Sequence, residues 1–456
     1  MTTADLFHPP RPPVEARDLN WYRLLKALRR NALGMWPQEA YEQEILVNKF
    51  FGRQRVLLNA PDAIHHVLVQ NAANYRRSPA SVRILRPIVG RGLFLSEGEE
   101  WKHQRRTIAP SLAPRVLPLL ARHVADVAQE AVQRLSASAS GSIDLLAAMQ
   151  FLALEVAGRS MFSLEMSRHG GELRGLITQF GARLGRPYLF DMLLPPSIPT
   201  LRDLARHRFR TRWESMMGRI IEARLATTPE GGPRDLFDIL RAARDPETGA
   251  AFSREQLRDQ VATLIVAGHE TTALTLFWSL YLLASAPAEQ RRLAEEVAGL
   301  DLWGEAADRS LAGLPYSRAV VSEALRLYPP AFVIVREAIG ADRWATVAIP
   351  PNSLAMISPW VLHRHRRYWP DPDAFDPARF LPGAATIPRM AYLPFGTGPR
   401  VCVGAQFAMT EAVLVLAILV QAFEITLADG APVLPAAVVT TQPDRPALFR
   451  LRRRQR

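Results

Sequence analysis

The chain contains a single cysteine, Cys402, which lies in a glycine-rich loop, Phe395 to Gly404 (FGTGPRVCVG), that runs directly into an apolar helical segment. One cysteine forms no intrachain disulfide and builds no multi-cysteine zinc or iron–sulfur site. A lone cysteine is usually an inert buried residue, so the surrounding pattern has to decide its role. The two glycines beside it permit tight backbone turns, and the sequence therefore predicts a loop shaped around one thiol.

Each fixed position of this loop suits a thiolate that binds a metal beneath a flat macrocycle. The free N–H groups at the start of the following helix would moderate the charge of the sulfur. Gly398 and Gly404 would allow close approach of the macrocycle. Arg400 can pair with a haem propionate, and Phe395 can pack beside the sulfur and exclude water. Such a pattern arises by chance in a chain of this length with a probability on the order of 10⁻⁴.

The pattern F-x-x-G-x-R-x-C-x-G resembles the haem-binding loop of the cytochrome P-450 family. The resemblance implies a mainly α fold with a smaller β region, in which a long central helix lies over the haem and the cysteine loop lies beneath it. It also implies haem b, iron protoporphyrin IX, as cofactor, with Cys402 as the axial iron ligand. The implied activity is that of a monooxygenase that uses dioxygen to hydroxylate a hydrophobic small molecule.

A long helical pattern begins at the capping box Ser253–Gln256 and continues to Ala286. Its middle carries the segment Ala267–Thr272 (AGHETT). A plain core helix is the alternative, but buried polar residues at its centre need a reason. The pattern therefore predicts a functional site halfway along this helix.

Within this segment Thr271 can turn its hydroxyl back to the carbonyl of Ala267, so that the helix opens into a small groove beside Gly268. The segment resembles the family's oxygen-activation motif. By that resemblance Thr271 positions dioxygen and ordered water, and Glu270 relays protons. We expect His269 to face elsewhere on the helix.

Glu323 and Arg326 stand three residues apart on one helical face. Such a pair is usually a surface pair worth a few tenths of a kcal/mol. Its position upstream of Asp376–Phe380 (DPARF) resembles the family's E-x-x-R motif and its arginine partner. The resemblance implies a buried network that scaffolds the cysteine loop, in which only Arg379 carries over from the second motif, because Ala378 stands where the family has glutamate.

Trp101 and Arg105 lie four residues apart on one helical face and resemble a W-x-x-x-R element that holds a haem propionate. Arg336, inside an otherwise apolar strand, is another candidate for this role. The plain alternative for both arginines is a solvated surface charge.

By resemblance, the substrate cavity draws on mostly apolar side chains: Ile84, Leu85, Phe94, Thr263, Leu264, Phe332, Val333 and Ile334. Apolar cavities discriminate by shape, which a sequence does not reveal. The substrate class therefore stays open among fatty acids, terpenoids, steroids and small aromatics.

Composition and patterning favour one domain over residues 1–456, with β structure at about 40–60 and 331–360 and helices in the remainder. The chain is 48% hydrophobic and 22% charged, as globular proteins are, and no Gly/Ser linker divides it. Charges interrupt the apolar runs of the first thirty residues, which predicts neither a signal sequence nor a membrane span. We expect a cytoplasmic monomer.

The formal net charge is +12, without a nucleic-acid-binding motif, so we expect no nucleic-acid partner. An arginine-rich composition explains the charge as well as a surface that attracts an acidic protein does. The chain ends about fifty residues after Cys402, without a flavin or iron–sulfur segment. We therefore expect electrons from NAD(P)H to arrive through a separate ferredoxin and its ferredoxin reductase.

Two other functions are compatible with a haem-thiolate loop. A peroxide-driven hydroxylase or an isomerase would not need Glu270 and Thr271 together. A haem sensor or carrier that is not an enzyme has no use for an acid and an alcohol next to the iron. The two motifs together favour dioxygen activation.

Overall fold

The protein is described by a computed structural model that covers residues 6–16, 19–137, 141–163, 170–195, 197–226 and 233–455. Its helices are α1 (Trp21–Arg30), α2 (Pro61–His65), α3 (Pro79–Val89), α4 (Gly98–Ile108), α5 (Leu117–Ala137), α6 (Leu145–Phe162), α7 (Gly170–Gln179), α8 (Leu189–Leu193), α9 (Leu201–Leu225), α10 (Leu236–Ala242), α11 (Arg254–Ser285), α12 (Pro287–Val297), α13 (Ala306–Ser310), α14 (Pro315–Leu327), α15 (Pro359–Leu362) and α16 (Ala405–Ala422). Its strands are β1 (Ile45–Phe50), β2 (Arg53–Leu58), β3 (Tyr75–Arg77), β4 (Ile143–Asp144), β5 (Ile334–Ala338), β6 (Asp342–Trp344), β7 (Val347–Ile349), β8 (Leu354–Ile357), β9 (Phe423–Leu427), β10 (Pro435–Ala437), β11 (Thr441–Pro443) and β12 (Leu448–Arg453).

The long helix α11 is the centre of the core, where it packs against α6 and α16. The predicted capping box begins it: the Ser253 hydroxyl accepts the Gln256 N–H at 3.2 Å, and the Gln256 side chain accepts the Ser253 N–H at 2.9 Å. Every residue from Thr272 to Leu283 is buried, so this half of the helix is enclosed on all faces. The predicted central helix is confirmed. It ends at Ser285, one residue before the predicted end at Ala286, and Pro287 follows.

By length and composition alone, α11 and α16 could each cross a membrane. In the fold, however, 72% and 61% of their most apolar windows are buried against other elements. Their hydropathy is therefore that of core helices, and the predicted absence of a membrane span stays a prediction.

A five-stranded sheet in the order β1-β2-β8-β5-β3 lies beside this helical core. Its hairpin β1–β2 turns at Phe51 and Gly52, whose φ values are +48° and +79°. Strand β8 pairs in parallel with β2, which brings the two predicted β-rich regions together in one sheet. Strands lie in both regions, 40–60 and 331–360, for which the sequence predicts β structure.

The prediction that the remainder of the chain is helical is wrong at β3 and β4 and, above all, after α16. There β9 and β12 pair antiparallel, and β4 extends their sheet, while β10 and β11 form a separate hairpin. The sequences FEITL and FRLR alternate apolar and polar residues with a period of two, which is a strand pattern. The hairpin β10–β11 matters for the site, because it reaches the middle of α11.

Candidate functional site

The cysteine loop is closed by its own backbone. The Cys402 N–H donates to the carbonyl of Phe395 at 2.9 Å, and the Val401 N–H donates to the carbonyl of Gly398 at 3.0 Å. Gly398 has φ +73°, and a Cβ there would lie 2.1 Å from the carbonyl oxygen of Leu68. Only glycine fits this position, both for its backbone conformation and for the close neighbouring chain.

Replacing Gly398 by alanine is therefore expected to lower the free energy of unfolding by about 2–3 kcal/mol, because of strain and overpacking. Gly404→Ala is the matched control, since Gly404 has φ −92° and a Cβ there would meet no atom within 4 Å. Urea unfolding of both haem-free variants measures the difference. Equal losses would contradict the steric argument at Gly398. If a macrocycle approaches Gly404 closely, as predicted, the Gly404→Ala variant should bind less haem, and the haem content measures this effect separately.

The thiol of Cys402 is accessible although its surroundings are desolvated. The residue is exposed, yet burial raises the pKa of its thiol, against the opposing effects of the Gly404 N–H and of Arg105. Because the thiol is desolvated, its accessible surface faces the interior of the fold rather than bulk water. Ala267 is likewise exposed although α11 is largely buried. The cysteine loop and the middle of α11 therefore both present surface to the interior of the fold.

Three guanidinium groups gather at one side of the cysteine loop. Arg77 of β3 stands directly opposite Arg336 of β5, and like charges in such a pair repel. Desolvation and the charges of Arg336 and Arg400, opposed by Glu97, lower the pKa of Arg77 to about 9. Desolvation and the charge of Arg400, again opposed by Glu97, lower the pKa of Arg336 to about 10. Glu97 is the acid beside them: it ion-pairs with Arg400 and accepts the Arg77 N–H at 3.0 Å.

This cationic cluster, Arg77, Arg336 and Arg400, carries more positive charge than Glu97 neutralises. The Nε of Arg77 is buried without a hydrogen-bond partner among the described residues. Arg336 donates to the carbonyl of the adjacent Val335 at 3.0 Å. A ligand with two carboxylates would satisfy these donors and relieve the repulsion, and haem, with two propionates, fits.

Helix α4 brings Trp101 and Arg105 next to the cysteine loop and the cationic cluster. The guanidinium of Arg400 lies over the Trp101 ring, 4.5 Å from its centre, and the indole N–H donates to no residue that the structure describes. Arg105 donates to the carbonyl of Val401 at 2.8 Å, next to the thiol. Both predicted residues therefore contact the cysteine loop, and the Trp101 N–H remains available to an acceptor.

On α11, the hydroxyl of Thr271 donates to the carbonyl of Ala267 at 2.5 Å, the geometry expected from the sequence. A Cβ on Gly268 would meet no neighbouring atom within 4 Å, so there is open space beside this bond. His269 points away, with Nε2 3.0 Å from the carbonyl oxygen of Gln150 in α6. The helix thus has a small groove on the face that carries Thr271.

The carboxylate of Glu270 has partners that sequence reasoning missed. Its Oε1 accepts from the Thr440 hydroxyl at 2.8 Å and from the Gln442 amide at 2.5 Å. Both donors belong to the β10–β11 hairpin, at its turn and in β11. The acid beside Thr271 is therefore held from outside its own helix.

The predicted ion pair of Glu323 and Arg326 is fully buried. Two bonds of 2.6 and 2.7 Å join the side chains, and Arg326 also donates to the carbonyls of His363, Pro372 and Ala374. The Nε of Arg379 lies 3.6 Å from the same glutamate. The common surface interpretation of such a pair does not apply here.

His363, which no sequence pattern indicated, joins this ion pair to the cysteine loop. Its Nδ1 lies 3.2 Å from the carbonyl oxygen of Arg326, and its Nε2 accepts the Leu393 N–H at 2.9 Å. Burial and the nearby charge of Arg326 lower the pKa of His363 to about 3, so the ring is neutral with its proton on Nδ1. The Leu393 carbonyl then accepts the Gly396 N–H at 3.2 Å.

The residues predicted for the substrate cavity are placed in different environments. Leu264, Val333 and Ile334 are half-buried, Leu85 packs on the α11 side, and Phe94 is exposed beneath the guanidinium of Arg77. Ile84, Thr263 and Phe332 are buried, and the Thr263 hydroxyl donates to the carbonyl of Asp259 at 2.7 Å. Ile84, Thr263 and Phe332 therefore contribute packing, whereas the other predicted residues have accessible surface that a ligand could contact.

The fold and the site together define a haem-thiolate protein, and comparison with known proteins agrees. The family model of Cytochrome P450 matches residues 24–447. A crystal structure of a cytochrome P450 superposes with a TM-score of 0.82 at 22% identity, covering 98% of this chain and 100% of that chain.

The chain is also similar to cyclooctatin synthase of Streptomyces melanosporofaciens, with 33% identity over 82% of this chain and 81% of the relative. Cyclooctat-9-en-7-ol 5-monooxygenase of the same organism is 29% identical over 76% of this chain and 75% of the relative. The chain belongs to the cytochrome P450 family. It is an oxidoreductase that incorporates oxygen from dioxygen, with haem as cofactor and redox partners as electron donors.

Proposed function

We propose that this protein hydroxylates a hydrophobic small molecule, using electrons from NAD(P)H that arrive through a ferredoxin and its reductase. The observation that carries the proposal is the acid and alcohol pair, Glu270 and Thr271, in the middle of α11 and close to the accessible Ala267. Haem, when bound, supplies the iron that binds and reduces dioxygen. A carrier or sensor would not need this pair, and neither would a peroxide-driven enzyme.

The residues of the loop and the cationic cluster would hold the cofactor. The Cys402 sulfur would bind the iron, and Phe395 would keep water from it. Arg336, Arg400 and the Trp101 indole would bind the propionates, with Arg105 beside the sulfur. Gly398 and Gly404 would leave room for the macrocycle, and Ala267 would line the haem site from α11. Glu323, Arg326 and Arg379 would support the loop through His363.

Two residues of α11 would carry out the proton transfers. The Thr271 hydroxyl, whose bond to Ala267 fixes its rotamer, would hold an ordered water in the groove. Glu270 would take protons from solvent and pass them to that water. Both groups act on protons alone, so their loss should divert electrons to peroxide rather than prevent haem binding.

A first test is turnover of the haem-loaded protein with NADPH, a ferredoxin, its reductase and ¹⁸O₂. The compounds to titrate first are dodecanoic acid, a cyclic terpene alcohol, testosterone and naphthalene, and the one that gives the largest spin shift is the assay substrate. The names of the two Streptomyces relatives support placing the cyclic alcohol first. We expect one labelled oxygen atom in the product. Product formation with peroxide but none with NADPH would overturn the proposal.

Replacing Thr271 by valine, which has the same shape without the hydroxyl, is expected to lower product formed per NADPH at least about tenfold, with peroxide released instead. Thr271→Ser, which keeps the hydroxyl, is the control and should retain most of the coupling. Peroxide and product are quantified against NADPH consumed. A valine variant that couples like the parent would exclude the hydroxyl from proton delivery.

The proposed ferredoxin partner leads to a salt dependence. The net charge of +12 should attract an acidic ferredoxin, so the second-order rate of reduction should fall at least about fivefold when ionic strength rises from about 20 to 300 mM. Stopped-flow reduction measures this rate, and reduction by dithionite serves as the control. A rate independent of salt would contradict electrostatic attraction of the donor.

A further inference from the structure

The β10–β11 hairpin holds one oxygen of the Glu270 carboxylate. Thr440 and Gln442 both donate to Oε1, whereas Oε2 has no hydrogen-bond partner among the residues that the structure describes. Glu270 is half-buried, so its unpaired oxygen retains access to water. The two oxygens of this carboxylate are therefore in different environments.

The hairpin is anchored independently of Glu270. The Thr441 hydroxyl donates to the carbonyl of Pro329 at 2.7 Å, and the Trp278 indole donates to the carbonyl of Thr441 at 2.9 Å. At the other strand, Asn31 donates to the carbonyl of Pro435 at 2.9 Å. Donors on so well anchored a hairpin restrict the rotation of the carboxylate that they bind.

We propose that Thr440 and Gln442 are positioning residues for Glu270. They occupy Oε1, and they leave Oε2 as the atom that exchanges protons with the groove at Thr271. Each proton that leaves Oε2 for the groove is replaced by one from solvent, so the carboxylate is unchanged after each transfer. This inference rests on the proposed function, in which Glu270 relays protons.

The test uses the variant Thr440→Val with Gln442→Met, which removes both donors and keeps the side chains similar in size. In the haem-loaded enzyme, with the panel compound that gives the largest spin shift, we expect peroxide released per NADPH to rise at least about fivefold. The substrate affinity from the spin shift should change less than twofold. Thr440→Ser with native Gln442 loses a methyl group but keeps the hydroxyl donor, so it should release peroxide as the parent does. This variant therefore distinguishes loss of the donors from a general loss of packing.

Thr441→Val is the matched control, because it removes a hydroxyl from the adjacent residue but takes a bond from Pro329 instead of Glu270. The bonds from Trp278 and Asn31 still anchor the hairpin in this variant, so peroxide release should rise far less than in the double variant. If Thr441→Val raises peroxide as much as the double variant does, hairpin order alone explains the effect and the inference is overturned.

A second measurement needs neither substrate nor turnover. In a double-mutant cycle between Glu270→Gln and the donor variant, the unfolding equilibrium constants should depart from additivity by at least about fivefold. Additive effects would overturn the inference.

The variant Glu270→Gln separates the two proposals. If it couples as the parent does, the relay role of Glu270 fails and the inference fails with it. If it releases peroxide while the donor variant does not, the relay role stands and only the positioning role fails.

Discussion

Replacing Cys402 by alanine is expected to abolish the red-shifted Soret band of the reduced, carbon-monoxide-bound protein and to lower turnover at least about a thousandfold. The sulfur is the sole thiolate that the chain can offer to an iron. Without it, the electron donation that favours cleavage of the O–O bond is lost. The reduced, carbon-monoxide difference spectrum and the haem content measure the two parts of this effect.

Val401→Ala is a suitable control for this prediction, since it changes the adjacent side chain and leaves both the thiol and the backbone bonds of the loop in place. It should keep the red-shifted band. If the Cys402→Ala protein takes up haem and gives the same absorption as the parent, the Cys402 sulfur is not the iron ligand.

Removing Arg326 is expected to destabilise the fold by about 3–5 kcal/mol, because an unpaired Glu323 carboxylate and three carbonyl groups would remain buried. That loss is a large part of the stability of a typical domain. Arg326→Leu should therefore yield little haem-loaded protein. Urea unfolding and haem content per chain measure the effect, and Leu393 should lose protection from hydrogen exchange first.

The pair of Glu99 and Lys102 provides the control, because it has the same spacing of three residues in a helix but is exposed. Glu99→Gln should leave unfolding and haem content unchanged within error. Should Arg326→Leu behave in the same way, the buried network would not support the cysteine loop.

The parts of the site that the sequence predicted are carried by short segments. The loop around Cys402 and the groove at Thr271 each depend on residues within ten positions, whose turn chemistry and helical spacing are local. Their geometry in the fold is close to expectation. The capping box at Ser253 likewise defined the start of α11, because its two bonds lie within four residues.

The parts that were missed depend on contacts between distant segments. His363 acts through Leu393 and Arg326, and Glu270 is held by a hairpin some 170 residues further along the chain. No periodicity predicts such partners. Arg77 was not among the predicted residues; alternation along β3 sends its side chain and that of Arg76 to opposite faces, and Arg76 pairs with Glu337.

The opposed pair of Arg77 and Arg336 has a consequence for the newly made chain. Before an anionic ligand binds, the repulsion between Arg77 and Arg336 offsets part of the attraction between Arg76 and Glu337 that also joins β3 to β5, so the pairing of β3 is weaker than after binding. Ligand binding then adds to folding stability by mass action. Cells that synthesise this protein faster than they synthesise porphyrin would accumulate chains with a loosened sheet edge, and proteases would remove those chains first.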